Sequence, residues 1–175
     1  MNSTSEINDL IKELYTKAYI GKSNHYFAAS RNRLLNTFTG LPAIIINIIL
    51  GSILFVDLSV VLPDIIKWTG ALVAFFAAFL SGIQTFFNYQ RNFEAHRKVA
   101  GMLLKIQDHC NYLHKRYNDN VINIQTAYEE LKEINDEYFK IISDAEAFPT
   151  KKRDYKKSIK QVQRKRKNDP NGLLK

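Results

Sequence analysis

Two stretches of this chain contain no Asp, Glu, Lys or Arg: residues 34–56 and residues 68–90, 23 residues each. As helices at about 1.5 Å per residue, each would be roughly 34 Å long, enough to cross a hydrocarbon core of about 30 Å. The alternative is a pair of buried helices in a soluble domain. A chain of 175 residues has too little remaining sequence to cover two helices that are apolar all round. The mean hydropathy, −0.24, conceals this segregation. The expectation is therefore an all-α membrane protein with a two-helix transmembrane hairpin at 34–90, its spans 34–56 and 68–90 joined by a loop at 57–67. Thirty-three mostly polar residues precede the first run. No small-x-small cleavage pattern follows it before the second begins, so neither run reads as a cleaved signal peptide.

Charge sets the orientation. Lys22, Arg31 and Arg33 precede the first run with no nearby acid, and Arg91, Arg97, Lys98 and Lys105 follow the second against Glu94 alone. The loop holds Asp57, Asp64 and Lys67. The positive-inside rule places both termini in the cytoplasm, and Trp68 and Tyr89 suit the two interfaces. Leu58, Val60, Val61 and Leu62 make the loop itself apolar. It would lie in the interface, or the first helix would continue to Leu62.

The remaining segments read as amphipathic helices. Residues 1–33 open on Ser3-x-x-Glu6, a capping-box pattern. Ile7, Leu10, Ile11, Leu14, Tyr15 and Ala18 then recur at helical spacing, with Gly21 a candidate break. In residues 91–148, Phe93, His96, Ala100, Leu103, Cys110 and Leu113 share one face of a helix. Asn118-Asp119-Asn120 marks a turn. A second helix follows, with Ile124, Tyr128, Leu131, Ile134, Tyr138, Ile141, Ile142 and Ala145 on its apolar side, and Pro149 stops it. Three such stripes are buried most simply in one cytoplasmic helical bundle. Residues 149–175 read as a disordered basic tail. From 150 onward it has eleven bases, among them Arg164, Lys165, Arg166 and Lys167, against two acids. Residues 107–149 have the opposite balance, nine acids to four bases. The tail reads either as a solvated segment or as a lipid-facing clamp, since each base near an anionic leaflet contributes about 1 kcal/mol. Specific nucleic-acid binding is not expected, because no aromatic interleaving accompanies the charge.

Polar groups inside the spans are the candidate working parts. Ser81, Gln84 and Thr85 lie in the cytoplasmic half of the second span, and Asn47 lies near the middle of the first. Pro42 cannot donate to the carbonyl of Phe38. Gln84, at the depth of Gly40, is placed to donate into that region. Asn47 matches Ala77 in depth and finds no polar neighbour there. It would bond to backbone, line water or meet another copy. Asn47, Ser81 and Gln84 are therefore the candidate pore or oligomer interface. A single hairpin encloses no pore, so conduction would require a homo-oligomer, and its uncharged lining would discriminate ions poorly.

No catalytic apparatus is legible: no nucleophile–base pair, no glycine loop for phosphate and no metal-ligand spacing among the four histidines. The protein reads as neither an enzyme nor a cofactor or metal carrier. The single cysteine, Cys110, excludes an internal disulfide. His96 reads first as a hydrogen-bonded core histidine. His25, His96 and Arg97 together form a candidate trigger or neck site for a phosphate.

Three motifs carry a family resemblance. They are His25-Tyr26-Phe27-Ala28-Ala29 in the lead-in helix, Leu80-Ser81-Gly82-Ile83-Gln84-Thr85-Phe86 at the span end, and Glu94-Ala95-His96-Arg97-Lys98-Val99-Ala100 entering the long helix. In their order and spacing, over about residues 5–147, the chain resembles the SLATT domains. These are two-transmembrane effectors of bacterial nucleotide-signalling and antiphage systems. The resemblance implies an inner-membrane, pore-forming effector of abortive infection, released by a protein or nucleotide second messenger. Against it stand a non-conducting scaffold or sensor that recruits a soluble partner, and a holin-like lysis protein. The patterned cytoplasmic helices would be superfluous in a holin.

Overall fold

In a computed structural model of the chain, residues 3–57, 63–168 and 172–174 are described, without the side chains of residues 3, 4 and 54–57. The side chain of the capping-box serine and the apolar loop residues 58–62 lie outside what is described. Every regular element among those described is an α-helix: α1 (Ser3–Asp57), α2 (Asp64–Phe87), α3 (Tyr89–Asn118), α4 (Ile124–Ala145) and α5 (Lys152–Asn168). The chain divides into two compact units, residues 1–30 with 94–175, and residues 31–93.

The first unit is a helical bundle. Ile7, Ile11, Leu14 and Ala18 of α1 bury against one cluster with Val99, Leu103, Ile106, Cys110 and Leu113 of α3, and with Ala127, Leu131, Ile134, Ile141 and Ala145 of α4. Each set follows the three- and four-residue spacing of one helix face. The expected break at Gly21 is absent, and α1 runs through it. A Cβ at that position would lie 3.0 Å from Cδ1 of Leu103. Glycine is there for close approach to α3, not to end a helix. Asn120 takes the left-handed conformation at φ 56° in the turn after α3. The Asn123 side chain caps α4 by accepting from the Thr126 amide at 2.8 Å.

The basic tail departs from expectation. Residues 152–168 form α5 rather than a disordered segment, and its Asp154, Ser158 and Val162 are buried. Those three positions, four residues apart, make one narrow stripe. Asp154 also accepts from the backbone N–H of Lys151 at 3.3 Å, the reciprocal half of a capping box. Lys157 lies over the Phe27 ring and Lys165 over the Tyr19 ring, with ammonium-to-centroid distances of 5.6 and 4.9 Å. Helix α5 therefore runs antiparallel to this part of α1, and the bundle has four helical segments where three were expected. Composition suggested disorder because the stripe consists of one valine, one serine and one aspartate. Such a stripe barely registers as apolar.

The second unit contains an antiparallel helix pair. Asn36 Nδ2 donates to Gln90 at 3.3 Å, and Gln84 Nε2 donates to Asn36 Oδ1 at 3.2 Å. Ala43 and Ala77 are buried at 2% and 1% exposure. The apolar surfaces around this pair face outward. Phe38, Ile48, Phe75 and Phe79 are each more than half exposed, and Phe86 is 83% exposed. The most apolar windows of these helices are only 11% and 6% buried, which is not the pattern of core helices in a soluble domain. Both helices are long and apolar enough to cross a membrane.

The second apolar helix has different limits from the charge-free run. It begins at Asp64, after Pro63, and ends at Phe87. Asn88 adopts φ 43°, ψ 51°, and its N–H donates to the Gln84 carbonyl. Its side-chain oxygen accepts from the Arg91 amide at 3.4 Å, and Asn92 Nδ2 donates to the Phe87 carbonyl at 3.1 Å. One asparagine thus closes α2 and opens α3, a left-handed role that asparagine tolerates better than other non-glycine residues.

Candidate functional site

The polar residues of the hairpin fall into two groups. Gln84 is satisfied within the helix pair. Its amide meets Asn36, not the carbonyl freed by Pro42, and it fills the space beside Gly40. A Cβ on Gly40 would come within 2.8 Å of Gln84 Nε2, so glycine is needed there for the amide to approach. Asn36 was not among the residues singled out from the sequence. It lies only two residues inside the charge-free run, where it read as an edge residue. Ser81 donates to the Ala77 carbonyl at 2.9 Å, and Thr85 to the Ser81 carbonyl at 3.0 Å. Both hydroxyls are therefore occupied by their own helix.

Asn47 is different. It is exposed, and its side chain makes no hydrogen bond with any described residue. The burial line of α1 passes through Ala43, Ile46, Leu50 and Ile53, leaving Asn47 and Gly51 beside it. A Cβ on Gly51 would meet nothing within 4 Å. Asn47 and Gly51 are four residues apart, so they share one open face. An amide unpaired at this depth of an apolar helix costs several kcal/mol in hydrocarbon.

In the bundle, His25 and His96 meet. Their Nδ1 atoms are 3.0 Å apart, their ring centroids 5.2 Å apart, and both residues are buried. One Nδ1–H must donate to the bare Nδ1 of the other, so the two rings hold opposite tautomers at this contact. Burial, and then the neighbouring His96, push the pKa of His25 down to about 4. Phe148 closes over His96 edge-on at 6.4 Å. Arg97 is exposed and does not share this burial. The buried pair forms a joint between α1 and α3.

Around the joint lies a polar seam. Lys22 Nζ donates to Gln107 Oε1 at 2.6 Å and sits 4.5 Å from the Tyr19 ring centroid. Burial, and then Lys165, lower its pKa. Asn24 Nδ2 donates to Thr150 at 2.7 Å. No group of three His, Cys, Asp or Glu suited to a metal occurs among the described residues. Cys110 is buried, and burial pushes its thiol up to about 12. It is therefore a protonated core residue.

The arrangement is thus a helix pair with an unpaired side-chain amide on its outer face, and a compact helical bundle. Residues 15–123 match a defined family of proteins of unknown function. The chain belongs to the DUF4231 family. The DUF4231 match runs from within α1 through α3 and stops at the turn before α4. Helices α4 and α5 therefore lie outside it. No curated protein and no solved structure matches the chain.

Proposed function

We propose that this DUF4231 protein is a SLATT-like membrane effector of a bacterial antiphage, abortive-infection system. In this reading it lies in the inner membrane with both termini cytoplasmic and oligomerises when triggered, permeabilising or depolarising the membrane. The observation that carries the reading is Asn47. An exposed amide without a partner in an apolar helix is relieved by a second copy or by water, and a pore assembled from several hairpins supplies both. Gly51 beside it leaves room for close helix approach. Ser81 and Gln84 have partners within the helix pair, which supports Asn47 over those two residues as the contact. The bundle gives the cell a means of control through a protein or nucleotide signal, which favours a regulated effector over a holin.

A membrane-potential dye followed during strong induced expression tests this. The wild-type chain is expected to depolarise cells, and Asn47→Leu, at equal membrane abundance, to leave the potential near that of uninduced cells. Unchanged potential with abundant wild-type protein would overturn the pore reading. Equal depolarisation by Asn47→Leu would remove Asn47 from it.

A further inference from the structure

The bundle carries two faces of opposite charge. Helix α5 has nine bases and one acid, Asp154, which is buried. Its buried stripe is Asp154, Ser158 and Val162. The helical period places Lys156, Lys160 and Lys167 directly opposite that stripe, with Arg153 and Arg164 alongside. All five are exposed. Helix α4 buries Ala127, Leu131, Ile134, Ile141 and Ala145. Its far side presents Glu129, Glu133, Asp136 and Asp144, with Lys132 and Lys140 among them, and all of these are exposed. No ion pair within the chain is described for Glu133, Asp136, Asp144 or the five α5 bases.

The two stripes also match in length. Glu129 to Asp144 covers about 22 Å of helix, and Arg153 to Lys167 about 21 Å. Each has an exposed aromatic ring nearby, Phe139 at 60% and Tyr155 at 49% exposure. Rings of this kind serve as anchors within a charged rim.

We infer that the acidic face of α4 in one copy docks on the basic face of α5 in the next. The contact is heterologous: each copy offers both halves, and the interface repeats head to tail, closing into a ring when the rotation allows. Charge complementarity selects a second copy as the occupant, because the same small unit displays both signs in stripes of equal length. A lipid surface would use the basic stripe alone and leave the acidic one without a role. This inference deepens the oligomer reading by naming a contact, and it rests on that reading only in requiring more than one copy.

Two full-length chains with different tags test it when co-expressed in membranes. One carries Asp136→Cys and the other Lys160→Cys, joined by a short bis-maleimide. Cys110 is buried and stays out of the reaction. The mixed pair is expected to cross-link, and Asp136→Cys paired with itself is not. Reversing α4 with Glu129→Lys, Glu133→Lys and Asp144→Lys in the first chain should lower the yield at least about five-fold. Reversing α5 with Arg153→Glu, Lys156→Glu and Arg164→Glu in the second should do the same, and the two reversals together should restore it. The yield should also fall as salt rises from about 0.05 to 0.5 M. Every altered residue is exposed, so folding is spared.

Equal yields in all four combinations, or no recovery in the doubly reversed pair, would overturn the inference. So would a cross-link that persists at full yield when the basic face is reversed, which would free that face for lipid. A cross-link lost on nuclease treatment would assign it to nucleic acid and equally overturn the inference. Cross-linking is read without reference to membrane potential. An intact cross-link with no depolarisation removes only the pore, and depolarisation with no cross-link removes only this contact.

Discussion

At the scale of single residues, the histidine joint has the clearest consequence. His25 is nearly fully buried and its pKa is held at about 4, against about 6.5 in an unfolded chain. Above pH 6.5 neither state binds the proton, and the joint's stability is fully present. As pH falls from about 6.5 toward 4, the unfolded chain takes up a proton that the native one refuses. Stability is then lost, on the order of 3 kcal/mol in total. Denaturation midpoints measured between pH 7 and 4 should therefore fall. The pKa of His114 is also lowered, by burial first and then by Lys12, and contributes with the same sign. Replacing both His25 and His96 with Phe should reduce the slope without abolishing it. A slope unchanged in that variant would remove the joint as its source. Asn88 offers a second test at this scale. Its left-handed backbone at φ 43° predicts that Asn88→Gly melts within about 1 kcal/mol of the parent. Asn88→Val should lose about 2 kcal/mol through strain and the missing cap. Equal melting of the two variants in detergent would contradict the assignment.

At the scale of elements, α5 changes what the C-terminal region is for. A solvated tail can be removed without effect on the bundle. A helix that buries Val162 and Ser158 and places lysines over Tyr19 and Phe27 cannot. Ending the chain after Pro149 should cost roughly 2 kcal/mol or more, from the lost valine burial and the uncovered rings. For a protein of this size that is a melting temperature lower by about 4–8 °C. An unchanged melting curve would return the segment to the status of a tail. The clamp reading of Arg164 to Lys167 also changes at this scale. Lys165 is engaged on Tyr19, so these bases belong to an ordered helix whose outward stripe has a fixed spacing.

At the scale of the whole molecule, the proposed pore and the proposed docking contact lie in different places. Asn47 lies in the apolar helix pair, and the charged stripes lie in the bundle. Asn47→Leu should therefore lower the Asp136–Lys160 cross-link less than the charge reversals do, while abolishing depolarisation. Reversing either charged face alone should lower both, because in the proposed function assembly precedes the pore. A cross-link lost in Asn47→Leu would merge the two roles and place the main contact in the hairpin. The pairing energies involved are small individually. Exposed ion pairs contribute about 0–1 kcal/mol each, so four or five acting together give the weak, salt-sensitive contact that a regulated assembly needs.

The sequence by itself determined what depends on near neighbours along the chain. An uncharged run of 23 residues makes a long apolar helix wherever it is placed. The spacing of Ile7, Ile11, Leu14 and Ala18, or of Leu131, Ile134 and Ile141, selects a buried face before any partner is known. The turn at Asn118-Asp119-Asn120 was legible for the same reason. Tertiary structure alone decided the rest. His25 and His96 are 71 positions apart, and no periodicity links them. The Asn36–Gln84 bond spans 48. Helix α5 acquires its order from Tyr19 and Phe27, over a hundred residues away. Its own sequence is mostly charge, and charge alone favours solvent. Asn47 was visible as a polar residue in an apolar run. That Asn47 faces outward while Gln84 is satisfied internally follows from how the two helices pack, a rotation that sequence spacing leaves open.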